Sequence, residues 1–252
     1  MQDLKSELSP TNKPEVAGVE EAASIAEMHY FFDSSFPTGS LGHSNGFETF
    51  ASRMDTITTR NAVSWIQRHM IFSLWYGDLE NISLYYELAS SLTSQSKGST
   101  FVGIIDSQSW DLSLHATRTT YESRKAQESL AKALQRSTGQ FFGTTNTTMI
   151  NHRFTEPSSV VGIIAGSRNW EITRTRTLYL MREVTVLSSV LVRYGKIGQH
   201  QQLEIIHELL SNTCALACSR PKDSTVPGIK VSIENELDQL DHPDLRPRLF
   251  TS

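Results

Sequence analysis

The stretch WEITRTRTLYLMREVTVLSSVLVRYG, residues 170–195, decides the fold class. Its apolar residues recur every three or four positions, so five of them share one face of a helix. They are Leu180, Val184, Leu187, Leu191 and Tyr194. Gly195 follows directly, and glycine commonly ends a helix because it adopts a left-handed backbone easily. The stretch therefore predicts one long helix, from Trp170 to Tyr194, with one face in a core.

The same spacing continues on both sides of this stretch. Helices are predicted over Glu21–Phe32, from Thr58 or Thr59 to Gly77, over Leu79–Leu92, from about Asp106 to Ser137, over the run VVGIIAG after Pro157, and over residues 199–218. A last helical turn is predicted to begin at Ile233 and to lead into an extended tail. Only short runs such as FVGII at 101–105 leave a strand open. The sequence thus predicts an all-α, single-domain helical bundle of about eight to ten helices.

Both ends of the chain differ from this helical body. Residues 1–22 mix charged residues with prolines and carry little apolar content, which predicts a mobile N-terminal tail. Residues 23–252 are predicted to form one domain, because a chain of 252 residues buries a core without metal or disulfide support. The prolines at 243 and 247 predict a mobile C-terminal segment, residues 242–252.

Composition excludes several classes of function. Lys plus Arg total 23 against 27 for Asp plus Glu, so the net charge of -4 offers no basic surplus for nucleic acid. Apolar stretches fall short of a membrane span, and the first residues lack the apolar run of a signal peptide. The two cysteines suit a reducing compartment. The expectation is a cytoplasmic protein with neither a nucleic-acid nor a membrane partner.

The glycine-rich loop DSSFPTGSLGHSNGFE, residues 33–48, admits an enzymatic interpretation. Asp33, Ser40, His43 and Glu48 are residue types that form an acid, a nucleophile and a base. The same types also cap helices and form turns, and the chain has no G-x-S-x-G elbow. The favoured interpretation has no catalytic residue: Asp33 or Ser40 caps a helix, and His43 donates to a backbone carbonyl. A hydrolase using Ser40 and His43 stays the alternative.

A metal site is a second alternative. His200, His207, Cys214 and Cys218 fall near one stripe of a predicted helix. Ligands seven residues apart on a helix are separated by about 10 Å, so the two histidines and the cysteines cannot share one ion. Cys214 and Cys218 remain the only candidate chelating pair, and burial of both thiols as small apolar side chains is favoured over metal binding.

Two further segments carry charged anchors. The stretch SRNWEITRTRTLYLMRE contains Arg168, Arg174, Arg176 and Arg182, which predicts either a surface for an acidic partner or a solvated helix face. The chain ends in DHPDLRPRLFTS, where Leu245, Leu249 and Phe250 alternate with arginines. Apolar and arginine anchors at a chain end favour docking, either into a partner or back onto the chain's own fold.

Three motifs together resemble the urease accessory protein UreF family. They are the loop DSSFPTGSLGHSNGFE at 33–48, SSVLVRYGKIG at 188–198 and HPDLRPRLFTS at 242–252. The family loop reads D-x-x-F-P-x-G-x-x-x-H-x-x-G-x-E, and the family ending reads H-x-x-L-x-x-R-L-F-x-S. The likeness spans about residues 25–252. The chain departs from the family in the helix that carries Gln127, Leu130 and Ala131, and at Glu156, where the family often has a histidine.

The resemblance implies a dimeric scaffold without catalytic activity or a tightly bound cofactor. Such proteins bind the accessory protein UreD (also called UreH), recruit the GTPase UreG with its bound GTP, modulate its activity, and help insert nickel into apo-urease. A direct nickel metallochaperone is the alternative within this role. The family's N-terminal segment and its end are thought to become ordered on binding UreD.

The resemblance also assigns residues. It implies partner binding by His242, Leu245, Arg248, Leu249, Phe250 and Ser252. It implies local architecture for Asp33, Phe36, Pro37, Gly39, Ser40, His43, Gly46 and Glu48, and a structural role for Arg193, Gly195 and Gly198. For Arg193, a carboxylate beside the loop is the expected partner.

Overall fold

The computed structural model describes residues 16–33, 36–38, 43–94, 109–142, 153–220, 233–245 and 249–250. All regular structure within these ranges is helical, which confirms the predicted all-α class. Residues 95–108, which include the run at 101–105 that left a strand open, lie outside the described residues, as do 143–152 and 221–232.

The helices follow one another along the chain with these bounds. They are α1 (Val16–Phe32), α2 (Phe47–Ser52), α3 (Thr59–His69), a π-helical segment (Met70–Leu79), α4 (Glu80–Ser94), α5 (109–116), α6 (Tyr121–Phe141), α7 (Pro157–Ser167), α8 (Ile172–Arg193), α9 (Gln199–Cys218) and α10 (Ile233–Asp241), followed by a 3-10 turn (His242–Asp244).

Helix α8 is central to the core, as its periodicity predicts. Leu180, Val184, Leu187 and Leu191 are fully buried, and Tyr194 packs against the core from its edge. Helices α1, α2, α7 and α9 all contact α8. Gly195 follows with a positive φ of 70°, which explains why the helix ends there.

Helices α4 and α7 approach each other unusually closely. A Cβ atom on Gly162 would lie 2.5 Å from the Ile82 carbonyl oxygen, and one on Gly166 would lie 2.5 Å from the Tyr86 carbonyl oxygen. Both distances are shorter than a van der Waals contact, so only glycine fits at these two positions. The G-x-x-x-G spacing in VVGIIAG is the sequence signal for this contact.

Several predicted boundaries are wrong. Gly77 does not end a helix, because α3 continues through the π-helical segment into α4, and the wider π turn accommodates an extra residue. Helix α1 begins at Val16, before the predicted start at Glu21, and so includes part of the predicted tail 1–22. The pattern at 106–137 is two helices, since Thr120 caps α6 by accepting from Ser123 N at 3.0 Å.

Other predicted boundaries are confirmed. Thr58 caps α3 by accepting from Asn61 N at 3.2 Å, and Pro157 occupies the first turn of α7. Helix α9 covers residues 199–218 as predicted. Helix α10 is longer than the predicted turn and leads into the C-terminal segment through the 3-10 turn.

Candidate functional site

The C-terminal segment is docked on the body of the protein by the carboxylate of Glu48. This side chain is fully buried and accepts from Leu249 N at 2.7 Å and from Phe250 N at 3.2 Å. Its Oε2 atom also lies 2.9 Å from His242 Nε2. One carboxylate therefore joins the 3-10 turn and the last described residues to helix α2, about two hundred positions earlier in the chain.

Local sequence places Glu48 at this point. Asn45 and Gly46 both adopt positive φ, at 51° and 83°, and turn the chain sharply into α2. Phe47 then stacks on Trp65 with ring centroids 4.3 Å apart, which fixes the orientation of the short helix. Glu48, on the next position, faces the C-terminal segment.

His242 lies between two carboxylates and is completely buried. Its Nδ1 atom is 3.1 Å from Glu122 Oε2, on helix α6, while Nε2 faces Glu48. A carboxylate can only accept a hydrogen bond. Both contacts are therefore hydrogen bonds at the same time when both nitrogens of the imidazole ring carry a proton, or when one of the two carboxyl groups is protonated. Nearby, burial and the charge of His242 lower the pKa of His43.

Phe250 completes the docking. Its side chain is buried, and the guanidinium of Arg193 lies over its ring, 4.5 Å from the centroid. This contact brings an aromatic ring of the C-terminal segment against Arg193, and the carboxylate partner expected for Arg193 stays a prediction. Leu245 is half-buried, and Leu249 keeps 51% of its surface exposed.

Helix α10 faces the body with its polar side. Asp238 is buried, accepts from Arg53 Nη1 at 2.5 Å and lies 3.4 Å from Trp65 Nε1. Glu236 accepts from Thr119 N at 3.0 Å and from Thr120 N at 3.1 Å. These contacts tie α10 to α3 and to the start of α6.

The apolar side of the same helix faces outward. Ile233, Leu237 and Leu240 are 68%, 54% and 57% exposed, and their spacing of four and three residues places them on one stripe. A groove of about 300 Å³ runs beside Leu237, between Phe50, Trp65, Arg53 and Arg68. We call Ile233, Leu237 and Leu240 the C-terminal apolar stripe; they are large apolar side chains in a position to contact another protein.

The remaining residues of the predicted loop support the core. Phe36 is buried with its ring 5.2 Å from Phe31, and Pro37 accepts through its carbonyl from Ser137 Oγ at 2.9 Å. Asp33 is exposed, and its carbonyl accepts from Phe36 N. Gly39 and Ser40 lie outside the described residues, as do Arg248 and Ser252. Of the two candidate acids of the hydrolase hypothesis, Asp33 is exposed and Glu48 has its carboxylate engaged by the C-terminal segment.

The remaining candidate residues are Gly198 and the possible metal ligands on α9, and they do not form one site. Gly198 precedes α9, and its N–H donates to Gln201 Oε1 at 3.4 Å. Cys214 and Cys218 are both exposed, so the predicted burial of the pair is wrong. His200 pairs with Glu204 at 3.4 Å. Within the described ranges, no group of three or more His, Cys, Asp or Glu side chains is arranged to hold a metal ion.

The arginine-rich stretch is mostly internal, which the sequence did not predict. Arg168 pairs with Glu27 of α1, Arg176 donates to the Ser219 carbonyl, and Arg182 donates to Thr38 Oγ1. Arg176 and Arg182 are buried. Arg176 and Arg182 stabilise α8 against its neighbours, Arg168 joins the end of α7 to α1, and Arg174 is the exposed member of the four.

A buried ionic cluster joins α5, α6 and α7. Glu156 accepts from Arg118 through both oxygens, with N–O distances of 2.8 Å, and lies 3.0 Å from His115 Nδ1. Asp111 accepts from Thr155 N at 2.7 Å and from Ser159 Oγ. Burial lowers the pKa of Arg118, but the charge of Glu156 outweighs it, so that the pKa of Arg118 is raised. In the sequence, Glu156 is distinguished only as a departure from the family pattern.

A polar cavity of about 40 Å³ lies between the loop, the π-helical segment and α8. His43, His69, Asp78, Tyr179 and Arg182 contribute to its lining. Burial raises the pKa of Tyr179, so its hydroxyl stays protonated near neutral pH. The volume accommodates a few water molecules.

These features define a class: an all-helical protein whose C-terminal segment folds back on its body and whose preceding helix, α10, presents an apolar stripe. Within the described part of the chain, no helix is long and apolar enough to cross a membrane.

Comparison with known families extends this description. The family model UreF matches residues 61–210, more than half of the 252 residues. The chain belongs to the urease accessory protein UreF family, a family of urease maturation factors. No curated protein matches the chain. The matched range runs from within α3 to within α9 and includes Arg193 and Gly195, whereas Glu48 and the C-terminal segment lie outside it.

Proposed function

We propose that this chain is a non-enzymatic scaffold for urease maturation in the cytoplasm. In this role it binds UreD/UreH through its C-terminal segment and the preceding helix α10 and, as a homodimer, recruits UreG for nickel insertion into apo-urease. Family membership supports the maturation role. Nickel is cargo in this scheme, and GTP is bound by UreG, so the scaffold itself needs no tightly held cofactor.

The C-terminal apolar stripe is the observation that carries the docking step. A helix with an apolar and a polar side normally buries the apolar side. Helix α10 does the reverse, since Asp238 and Glu236 bind the body while Leu237 and Leu240 face solvent. A partner that covers the stripe would remove large apolar side chains from water, at about 25 cal/mol per Å².

Modulation of the GTPase follows from linkage. A scaffold that binds one nucleotide state of UreG more tightly than the other shifts the equilibrium between them by that difference in affinity. The docked C-terminal segment is a second binding site on the scaffold. Binding of UreD there can change how strongly the scaffold favours one nucleotide state of UreG. Coupling of the two sites through the helical body is therefore part of the proposal.

The stripe is tested by replacing Leu237 and Leu240 together with aspartate. Both side chains are exposed, so the free energy of unfolding should change by no more than about 0.5 kcal/mol per site. Binding to the UreD homologue should weaken by at least about 100-fold, because two charges would enter an apolar interface. The measurement is calorimetric or optical titration of the full-length chain with UreD, beside circular dichroism of the variant alone.

Leu203→Asp is the matched control, because Leu203 is 64% exposed on α9, away from the stripe. It should leave UreD binding unchanged. Equal affinity of the stripe variant and the unaltered chain for UreD would contradict docking through α10. Deletion of the C-terminal segment is a poorer test, since it would leave Glu48 buried without its partners.

A further inference from the structure

The end of helix α9 carries two exposed thiols that the proposed function does not use. Cys214 and Cys218 are four residues apart, so they lie one above the other on the same face. Residues at this spacing have Cβ atoms about 5–6 Å apart in a helix. A disulfide requires about 3.5–4.5 Å between Cβ atoms, so the regular helix disfavours a direct bond between the two sulfurs.

A bridging ion fits the spacing better than a disulfide does. Two metal–sulfur bonds of about 2.3 Å each, the length in zinc–thiolate sites, separate the sulfurs by up to about 4.6 Å. That separation suits side chains whose Cβ atoms stay at their helical positions. The pair can therefore clamp a thiophilic ion without unwinding the last turn of α9.

The number of ligands selects the kind of ion. Zinc normally takes four ligands in structural sites, and nickel(II) favours square-planar or tetragonal coordination. Among the described residues, no third His, Cys, Asp or Glu completes a cluster with the two cysteines. Thiolates favour copper(I), a soft monovalent ion that is satisfied by fewer ligands than these divalent ions.

Charge around the thiols supports an anionic complex. Two thiolates and one monovalent ion carry a net charge of minus one, which the carbonyl end of a helix alone would disfavour. Arg176 is 5% exposed, donates to the Ser219 carbonyl, and interacts electrostatically with Cys218. Its Nε atom is buried without a hydrogen-bond acceptor among the described residues. Arg176 shares the carboxylate of Glu80, at 3.9 Å, with Arg220, at 3.2 Å, so two guanidinium groups and one carboxylate stand near the position where the complex would form.

We propose that Cys214 and Cys218 form a two-thiolate site for copper(I) at the end of α9. The site is separate from the C-terminal apolar stripe and does not depend on the scaffold role. It also differs from a nickel site, because two thiolates match a soft monovalent ion rather than nickel(II).

The test is an anaerobic competition between the reduced full-length chain and the copper(I) chelator bathocuproine disulfonate, followed by the absorbance of the chelator complex. Each molecule of the chain should take one copper(I) ion from the chelator. Cys214→Ser and Cys218→Ser should each weaken binding by at least about 100-fold, since each removes half of the ligand set. His207→Ala is the matched control on the same helix and should bind copper like the unaltered chain.

Two results would overturn the site. Copper uptake that persists in the double variant Cys214→Ser, Cys218→Ser would place the ion elsewhere. Uptake of half an ion per chain, with a mass by light scattering twice that of the metal-free protein, would show that each ion takes thiols from two molecules. Nickel(II) titrated into the reduced chain should give no heat that depends on the two cysteines, and a thiol-dependent nickel signal would contradict the selectivity.

Discussion

Replacing Glu156 with alanine should lower the free energy of unfolding by about 3–5 kcal/mol, the usual cost of removing one partner of a buried ion pair. Glu156 is fully buried, and Arg118 is 4% exposed. Without the carboxylate, the guanidinium would keep its charge in the interior and lose two hydrogen bonds of 2.8 Å. For a chain of this size the melting temperature should fall by about 6–20 °C. Thermal and urea unfolding measure both quantities.

The control for this prediction removes both charges. Arg118→Met combined with Glu156→Leu replaces the pair by apolar side chains of similar size, which should recover much of the stability lost in Glu156→Ala. A loss below about 1 kcal/mol in Glu156→Ala would show that water reaches Arg118 and that the cluster is not closed.

Replacing Glu48 with alanine should release the C-terminal segment from the body. The carboxylate holds Leu249 N, Phe250 N and His242, and each hydrogen bond to a charged group contributes about 1.5–3 kcal/mol. Losing these hydrogen bonds should weaken the docking of the C-terminal segment by about 3 kcal/mol or more. The hydrogen-exchange protection of the Leu249 and Phe250 amides should then fall by about 100-fold or more. Exchange measured by mass spectrometry on C-terminal peptides reports this directly.

Helix α9 provides the internal reference for the Glu48 variant. Its amides should keep their protection, because α9 makes no hydrogen bond with Glu48. A global loss of protection instead would mean that the C-terminal segment belongs to the folding core. Unchanged protection of Leu249 and Phe250 would contradict the role of Glu48 in docking.

A helix was predictable where its own residues, or those directly beside it, contain the apolar spacing, cap or stop that defines it. The stripe through Leu180 and Leu187, the cap at Thr58 and the glycine at 195 are all local features, and each is present in the structure. Gly77 misled the prediction, because packing of α3 and α4 around the π-helical segment outweighs the low helix propensity of one glycine. The break before α6 depends on a threonine cap inside a long amphipathic pattern.

The residues of the C-terminal docking site were predictable, but the contacts between them were not. The motif resemblance named Glu48, His242 and Phe250, yet their contact spans about two hundred positions and has no local pattern. The stripe on α10 shows a similar limit. A periodic pattern identifies the apolar side of a helix, but only the structure shows that this side faces solvent. Glu156 and Arg118 pair over 38 positions for the same reason.

The most direct test of the scaffold role is size-exclusion chromatography with light scattering on the full-length chain, alone and with the UreD and UreG homologues of the same organism. The proposal predicts a dimer that forms a larger complex with UreD and a larger one again when UreG and GTP are added. Elution of the chain apart from both proteins, at low and at moderate salt, would contradict the scaffold function.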